Sequence, residues 1–182
     1  TERRFVLEPL HEIAPELVLT KGGPTVSELL KNLSALRIRP VGNSPEECEE
    51  AATALNRLMP SLTENYTALK AADVARMLST GLTRIYLGRD ESGKVQAGAT
   101  LVLCCSPTGC KAWIEDVAVM PDCRRRGYGR AIIRFLIAES QRLGAKSLNL
   151  TSQPKREAAN ALYRSEGFVR LMNADSDIDG PI

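Results

Sequence analysis

Glu115 and Asp116 are two consecutive carboxylates inside an otherwise apolar run, Trp113-Ile-Glu-Asp-Val-Ala-Val119. Burying a charge costs free energy unless the charge is paired or used, so this pair is the first place to look for acid–base chemistry. Neighbours in a regular strand point to opposite faces. That expects separate tasks for the two, with a structural ion pair to an arginine as the alternative use. After a Met-Pro-Asp turn come Arg124, Arg125, Arg126, Gly127, Tyr128, Gly129 and Arg130. Guanidinium forks suit phosphate oxygens, and glycines let a backbone approach a ligand with no Cβ in the way. The start of a helix adds N–H groups and partial positive charge. The stretch reads as a phosphate cradle, with a solvated basic loop as the alternative. Farther on, Asn160 and Tyr163 are three apart in a helical pattern and share a face. A core aromatic is the other use for Tyr163. Arg156 is either a phosphate contact or a solvated helix start.

These residues need elements to hold them. Trp113 to Val119 reads as a buried strand. Gly129, Ile132, Ile133, Leu136, Ile137 and Ser140 follow at helical spacing, and Gly144 is a stop signal. Upstream, Ala35 to Val41 alternates as a strand. Ser44-Pro-Glu-Glu47 starts a helix by a capping box, and Pro60 ends it. A second helix is expected from about Thr67 to Ser79. Thr83–Arg89 and Val95–Cys105 form a hairpin, and a turn at Ser106–Gly109 leads to the central strand from Lys111. Downstream lie a strand at Ser147–Thr151, a helix at Lys155–Glu166 and a final strand at Phe168–Met172. The order is an antiparallel meander, then strand–helix–strand–helix–strand, an α+β fold. Residues 1–34 form an N-terminal arm with a short helix capped at Thr25-Val-Ser-Glu28. Residues 35–172 are the main domain, and 173–182 a polar tail that reads as mobile.

Composition excludes some classes. Of 182 residues, 43% are hydrophobic and 25% charged, an ordinary soluble balance. The net charge of +2 gives no bulk affinity for nucleic acid; the positive charge is local to the arginine turn. No apolar run is long enough to span a membrane. The start lacks the apolar core of a secretion signal, although the missing initiator Met leaves a trimmed start open. Five cysteines with no Cys-x-x-Cys pair and one histidine, His11, argue against zinc. They read as reduced thiols, which expects a cytoplasmic protein.

Arg124-x-x-Gly127-x-Gly129 after an apolar strand resembles the acetyl-coenzyme A signature of the GCN5-related N-acetyltransferases, the GNAT superfamily. The resemblance spans roughly residues 38–171 and is strongest from Trp113 to Phe168. It implies a central mixed, mostly antiparallel sheet flanked by helices, and acetyl-CoA as cofactor. It implies that Val117, Ala118 and Val119 offer backbone groups to the pantetheine arm, and that the amides from Arg125 to Arg130 hold the pyrophosphate. The Asn-x-x-Tyr…Gly-Phe block is similar to a later family motif. By it, Asn160 contacts the pantetheine arm and Tyr163 protonates the departing thiolate. The Glu-Asp pair is similar to that of glucosamine-phosphate and polyamine acetyltransferases, which makes Glu115 the base, directly or through water, and Asp116 an acceptor contact. The first two helices and their loop would wall the acceptor pocket, with Glu64 and Tyr66 as contacts. The function so implied is acetyl transfer to a primary amine, on a small molecule or a peptide, by direct attack in a ternary complex. A glucosamine-6-phosphate acetyltransferase, a protein acetyltransferase and a non-catalytic coenzyme A sensor are alternatives. The tail departs from the family's closing hairpin, so the last strand is either short or supplied by the partner in a homodimer.

Overall fold

A computed structural model describes residues 7, 10, 12–23, 25–27, 36–63, 65–170 and 177–180. Val26 and Ser27 are helical after Thr25, as expected; the rest of that helix, His11 and Glu64 lie outside the described residues. Among the described residues, seven strands form one sheet in the order β1-β2-β3-β4-β5-β7-β6. They are β1 Arg37–Pro40, β2 Thr83–Arg89, β3 Val95–Ser106, β4 Gly109–Val119, β5 Ala145–Thr151, β6 Val169–Arg170 and β7 Asp177–Gly180. Among the described residues only β4 and β5 run parallel; every other ladder is antiparallel. The mixed, mostly antiparallel sheet flanked by helices is therefore as expected.

Helices α1 Pro45–Leu58, α2 Ala71–Ser79, α3 Tyr128–Arg142 and α4 Glu157–Ser165 cover the sheet. At the start of α1 the Ser44 side chain accepts from Glu47 N–H, and Glu47 reaches back to Ser44 N–H. Helix α2 begins at Ala71, later than expected, because Lys70 N–H is capped by the Asp73 carboxylate at 3.0 Å. Both sheet faces are apolar, so β2 is buried on both sides. Ile85 and Leu87 join a core cluster with Ala51, Leu55 and Val74, under α1 and α2. Tyr86 between them joins the other cluster, with Ile132, Leu136 and Tyr163, under α3 and α4. That face is also pinned by polar contacts. Tyr86 Oη donates to Glu139 on α3 at 2.9 Å, and Glu166 at the end of α4 meets Arg130 at 2.9 Å and Arg134 at 2.7 Å.

Two expectations fail. Four residues of the supposed mobile tail form β7, which pairs with both β5 and β6. Backbone pairing on both edges holds a segment whose Asp-rich composition read as solvated. The second failure concerns the thiols. Cys105 and Cys110 face each other across the β3–β4 hairpin and are bonded, whereas Cys48, Cys104 and Cys123 are free. Five reduced thiols was therefore the wrong reading, and the ground for expecting a cytosolic setting goes with it.

Candidate active site

The site is built where β4 and β5 separate. Strand β4 keeps its ladder to β3 as far as Val119↔Ala97, but its ladder to β5 ends at Ile114↔Leu150. Strand β5 ends one residue later, at Thr151, so among the described residues the second half of β4 has no strand partner on that side, and this unpaired edge forms a wedge. Met120 N–H donates to Gln96 O on the β3 side at 2.9 Å. By strand alternation Ala118 also bonds toward β3, while Val119 turns its N–H and C=O the other way, into the wedge.

A bulge marks the lip. Gly98 pairs with Ala118 but Thr100 pairs with Glu115, so two residues, Asp116 and Val117, oppose one. Asp116 takes φ 53°, a left-handed conformation that Asp tolerates better than most residues. Ile114 and Val117, three apart, consequently pack in the same core cluster. The expected alternation of Glu115 and Asp116 in a regular strand is thereby broken. Nor are the two carboxylates equally buried: Glu115 is half-buried and Asp116 exposed. Burial, then the Asp116 charge, raises the Glu115 pKa above its ordinary value.

The phosphate cradle follows. Arg125 at φ 64° and Gly127 at φ 81° turn the chain into α3, with Gly127 as N-cap. The first helical hydrogen bond runs from Ala131 N–H to Gly127 O, so the amides of Gly129 and Arg130 precede the ladder. A Cβ at Gly129 would sit 3.4 Å from Leu162, so α3 and α4 pack closely here. Arg124, Arg125 and Arg126 are exposed. The Arg130 guanidinium is committed to Glu166 and to Ser165 Oγ at 3.1 Å; its backbone amide is the part left for a ligand.

Helix α4 brings the remaining groups. Tyr163 is buried and its ring centroid lies 5.9 Å from that of Phe168. Burial raises its pKa, with the Arg156 charge opposing. Arg156 is exposed at the start of α4, and its Nη2 donates to Leu62 O at 2.9 Å in the loop after α1. Asn160 Nδ2 donates to Gln153 O at 3.1 Å. On the acceptor side, Tyr66 Oη donates to Asn56 Oδ1 at 2.6 Å. Sequence reasoning missed Asn56, the Arg156 bridge and Ser152; each depends on partners that only the fold brings together.

A model of the acetyltransferase (GNAT) family matches residues 53–168, more than half of the chain. The chain belongs to the GNAT family of acetyltransferases. Over 58 residues it is 41% identical to the ribosomal protein bS18 alanine N-acetyltransferase of Escherichia coli, a match covering 32% of this chain and 39% of that one. The same figures hold for the Salmonella typhimurium enzyme. The chain thus spans well under half the length of the curated relatives it matches. A structure from Agrobacterium tumefaciens described as an acetyltransferase shares 27% identity over 76% of this chain and 96% of that one, with a TM-score of 0.66. The NatC complex bound to Gag peptide and CoA shares the fold, with a TM-score of 0.64 at 20% identity over 81% and 98% of the two chains.

The GNAT family is a family of acetyltransferases, and acetyl-CoA is the donor it uses. The residues of this chain fit that donor. The wedge leaves room beside β4 for an extended arm that can bond as a strand would. Asn160 Oδ1 and Ser152 Oγ, on α4 and just past β5, are buried polar atoms with no partner among the described residues. Left unpaired, such atoms cost free energy, and an amide-bearing ligand is the kind of partner that relieves it.

Proposed function

We propose that the chain moves an acetyl group from acetyl-CoA to a primary amine by direct attack in a ternary complex. The observation that carries this reading is the opened β4–β5 wedge with the half-buried Glu115 carboxylate at its lip. Acetyl-CoA, when bound, supplies the activated acyl group, so no protein nucleophile is required. Backbone groups of Val117 and Val119 line the pantetheine path, Val119 most directly; Ala118, expected to share in it, has its N–H and C=O turned toward β3 instead. The amides from Arg125 to Arg130, Tyr128 included, receive the pyrophosphate at the head of α3, with Arg124 nearby. Asn160 holds the arm from α4. Glu115 takes the proton from the amine, directly or through water; its raised pKa makes it a stronger base than an exposed carboxylate. Tyr163, kept protonated by burial, gives a proton to the departing sulfur. Asp116, Tyr66 and Glu64 contact the acceptor.

Among acceptors, a peptide N-terminal amine is favoured by the 58-residue stretch at 41% identity to the bS18 alanine N-acetyltransferase. A panel of alkylamines, amino sugars and short peptides with free N-termini, assayed by coenzyme A release with product mass checked, tests both levels. Acetylation of at least one amine is expected, with an alanine-starting peptide among the best. No coenzyme A release with any amine would leave a binding protein without catalysis.

A further inference from the structure

Asn56 lies on α1 and makes three hydrogen bonds to the loop between α1 and α2. Its Nδ2 donates to Leu69 O at 2.9 Å. Its Oδ1 accepts from Leu69 N–H at 2.8 Å and from Tyr66 Oη at 2.6 Å. The two ends of an asparagine amide have nearly the same shape and opposite polarity, so its partners must decide which end faces the tyrosine. Leu69 decides it. A backbone N–H only donates and a C=O only accepts, so this pair admits the amide in one orientation. Tyr66 therefore meets an acceptor and commits its single proton to it. What the phenol oxygen has left to offer a ligand is lone pairs.

The surroundings have the same polarity. Tyr66 is half-buried and packs, with Leu62 and Leu69, against the cluster that contains Ala118, two residues beyond Asp116. The phenol's pKa is raised by burial, pulled back by Leu69 N–H, and raised again by the Asp116 charge. The tyrosine therefore keeps its proton, and Asn56 keeps its donor. Asp116 is exposed at the bulge and Glu115 precedes it. Carboxylates accept hydrogen bonds and do not donate them while ionised.

We infer that Asn56 fixes Tyr66 as a hydrogen-bond acceptor, and that Tyr66 Oη and the Asp116 carboxylate form a subsite that receives the acceptor amine as its ammonium ion. An ammonium has donors and no acceptor, so it matches groups that only accept. An alcohol of the same shape brings a single donor and no charge. Asn56 is on this account a positioning residue, acting through Tyr66. The inference rests on the reading that the site acetylates an amine.

The test uses the best amine of the panel and two non-acetylatable probes as competitive inhibitors: its N,N-dimethylammonium derivative and its alcohol counterpart. The ammonium probe should inhibit at concentrations about tenfold or more below the alcohol, the size of one charge-assisted hydrogen bond. Tyr66→Phe and Asn56→Leu should each erase most of that ratio and leave the KM for acetyl-CoA unchanged. Asn56→Asp should retain it, because a carboxylate still accepts the phenol proton although the bond to Leu69 O is lost. A merely structural clamp predicts instead that Asp fails as Leu does. Equal inhibition by the two probes, a Tyr66→Phe enzyme with the full ratio, or an Asp variant that behaves like Leu would each overturn the inference while leaving acetyl transfer intact. An enzyme that acetylates no amine would remove the reading beneath it as well.

Discussion

Replacing Tyr163 separates its two candidate uses, proton donor and core aromatic. The ring is buried in the α3–α4 core cluster and tilted against Phe168. Tyr163→Phe keeps that packing, and the influences on the phenol are burial and the Arg156 charge rather than a hydrogen bond within the protein. The substitution therefore strands no buried partner. Its melting temperature should stay within ~2 °C of the parent, as expected for a change below about 0.5 kcal/mol. Turnover should fall roughly 10- to 1000-fold if the phenol protonates the departing sulfur. Tyr163→Ala removes the ring and leaves a cavity costing about 3–5 kcal/mol. At ~2–4 °C per kcal/mol for a chain of this size, the melting point should drop by roughly 6–20 °C. Calorimetric melting and initial rates at saturating acetyl-CoA, measured on both variants together, give the answer. A Phe variant with full activity and unchanged stability would refute the donor role and leave Tyr163 to packing alone.

Glu115→Gln should lower turnover by about 10²–10⁴-fold with little change in acetyl-CoA affinity by calorimetry, and the loss should shrink at high pH, where more of the amine is already neutral. The same variant bears on stability. The pKa of Glu115 is raised by burial, so its favourable contribution is present below the unfolded-state value and is lost as pH rises through the folded one. The Gln variant should accordingly melt higher than the parent at neutral pH, with the gain vanishing in acid; an unchanged difference across that window would contradict the burial argument. Gly127→Ala places a side chain at φ 81°, a strain of roughly 1–2 kcal/mol, and intrudes on the ligand's approach. Acetyl-CoA affinity should weaken about tenfold on a folded variant, and unchanged calorimetric binding would move the phosphate site elsewhere.

Local signals were legible in the sequence; signals made by distant partners were not. The Ser44–Glu47 box, the turn through Gly127 and the stop at Gly144 each depend on residues within a few positions, and each was placed. The bulge at Asp116 left only a break in alternation, Ile114 and Val117 flanking two polar residues, and the register against β3 is what shows the extra residue. Helix α2 was expected from Thr67, but Asn56 holds Leu69 from the other helix, which keeps that stretch out of the helix. The Arg156–Leu62 contact spans 94 positions, and no periodicity reports it. Cys105 and Cys110 became neighbours only once the hairpin turn was fixed, and β7 only once β5 offered an edge.

The strand order at that end constrains how the chain assembles during synthesis. Strand β6 is made before β7, yet its ladder is with β7, which lies between it and β5. Until residues 177–180 leave the ribosome, β6 has no seat, and the edge of β5 that carries Leu148 and Leu150 stays open. An open, apolar edge is a template for pairing with another chain. A nascent or cleaved chain that stops short of residue 177 would thus expose an adhesive strand beside an otherwise formed sheet. The last ladder to close is also the one that removes that hazard.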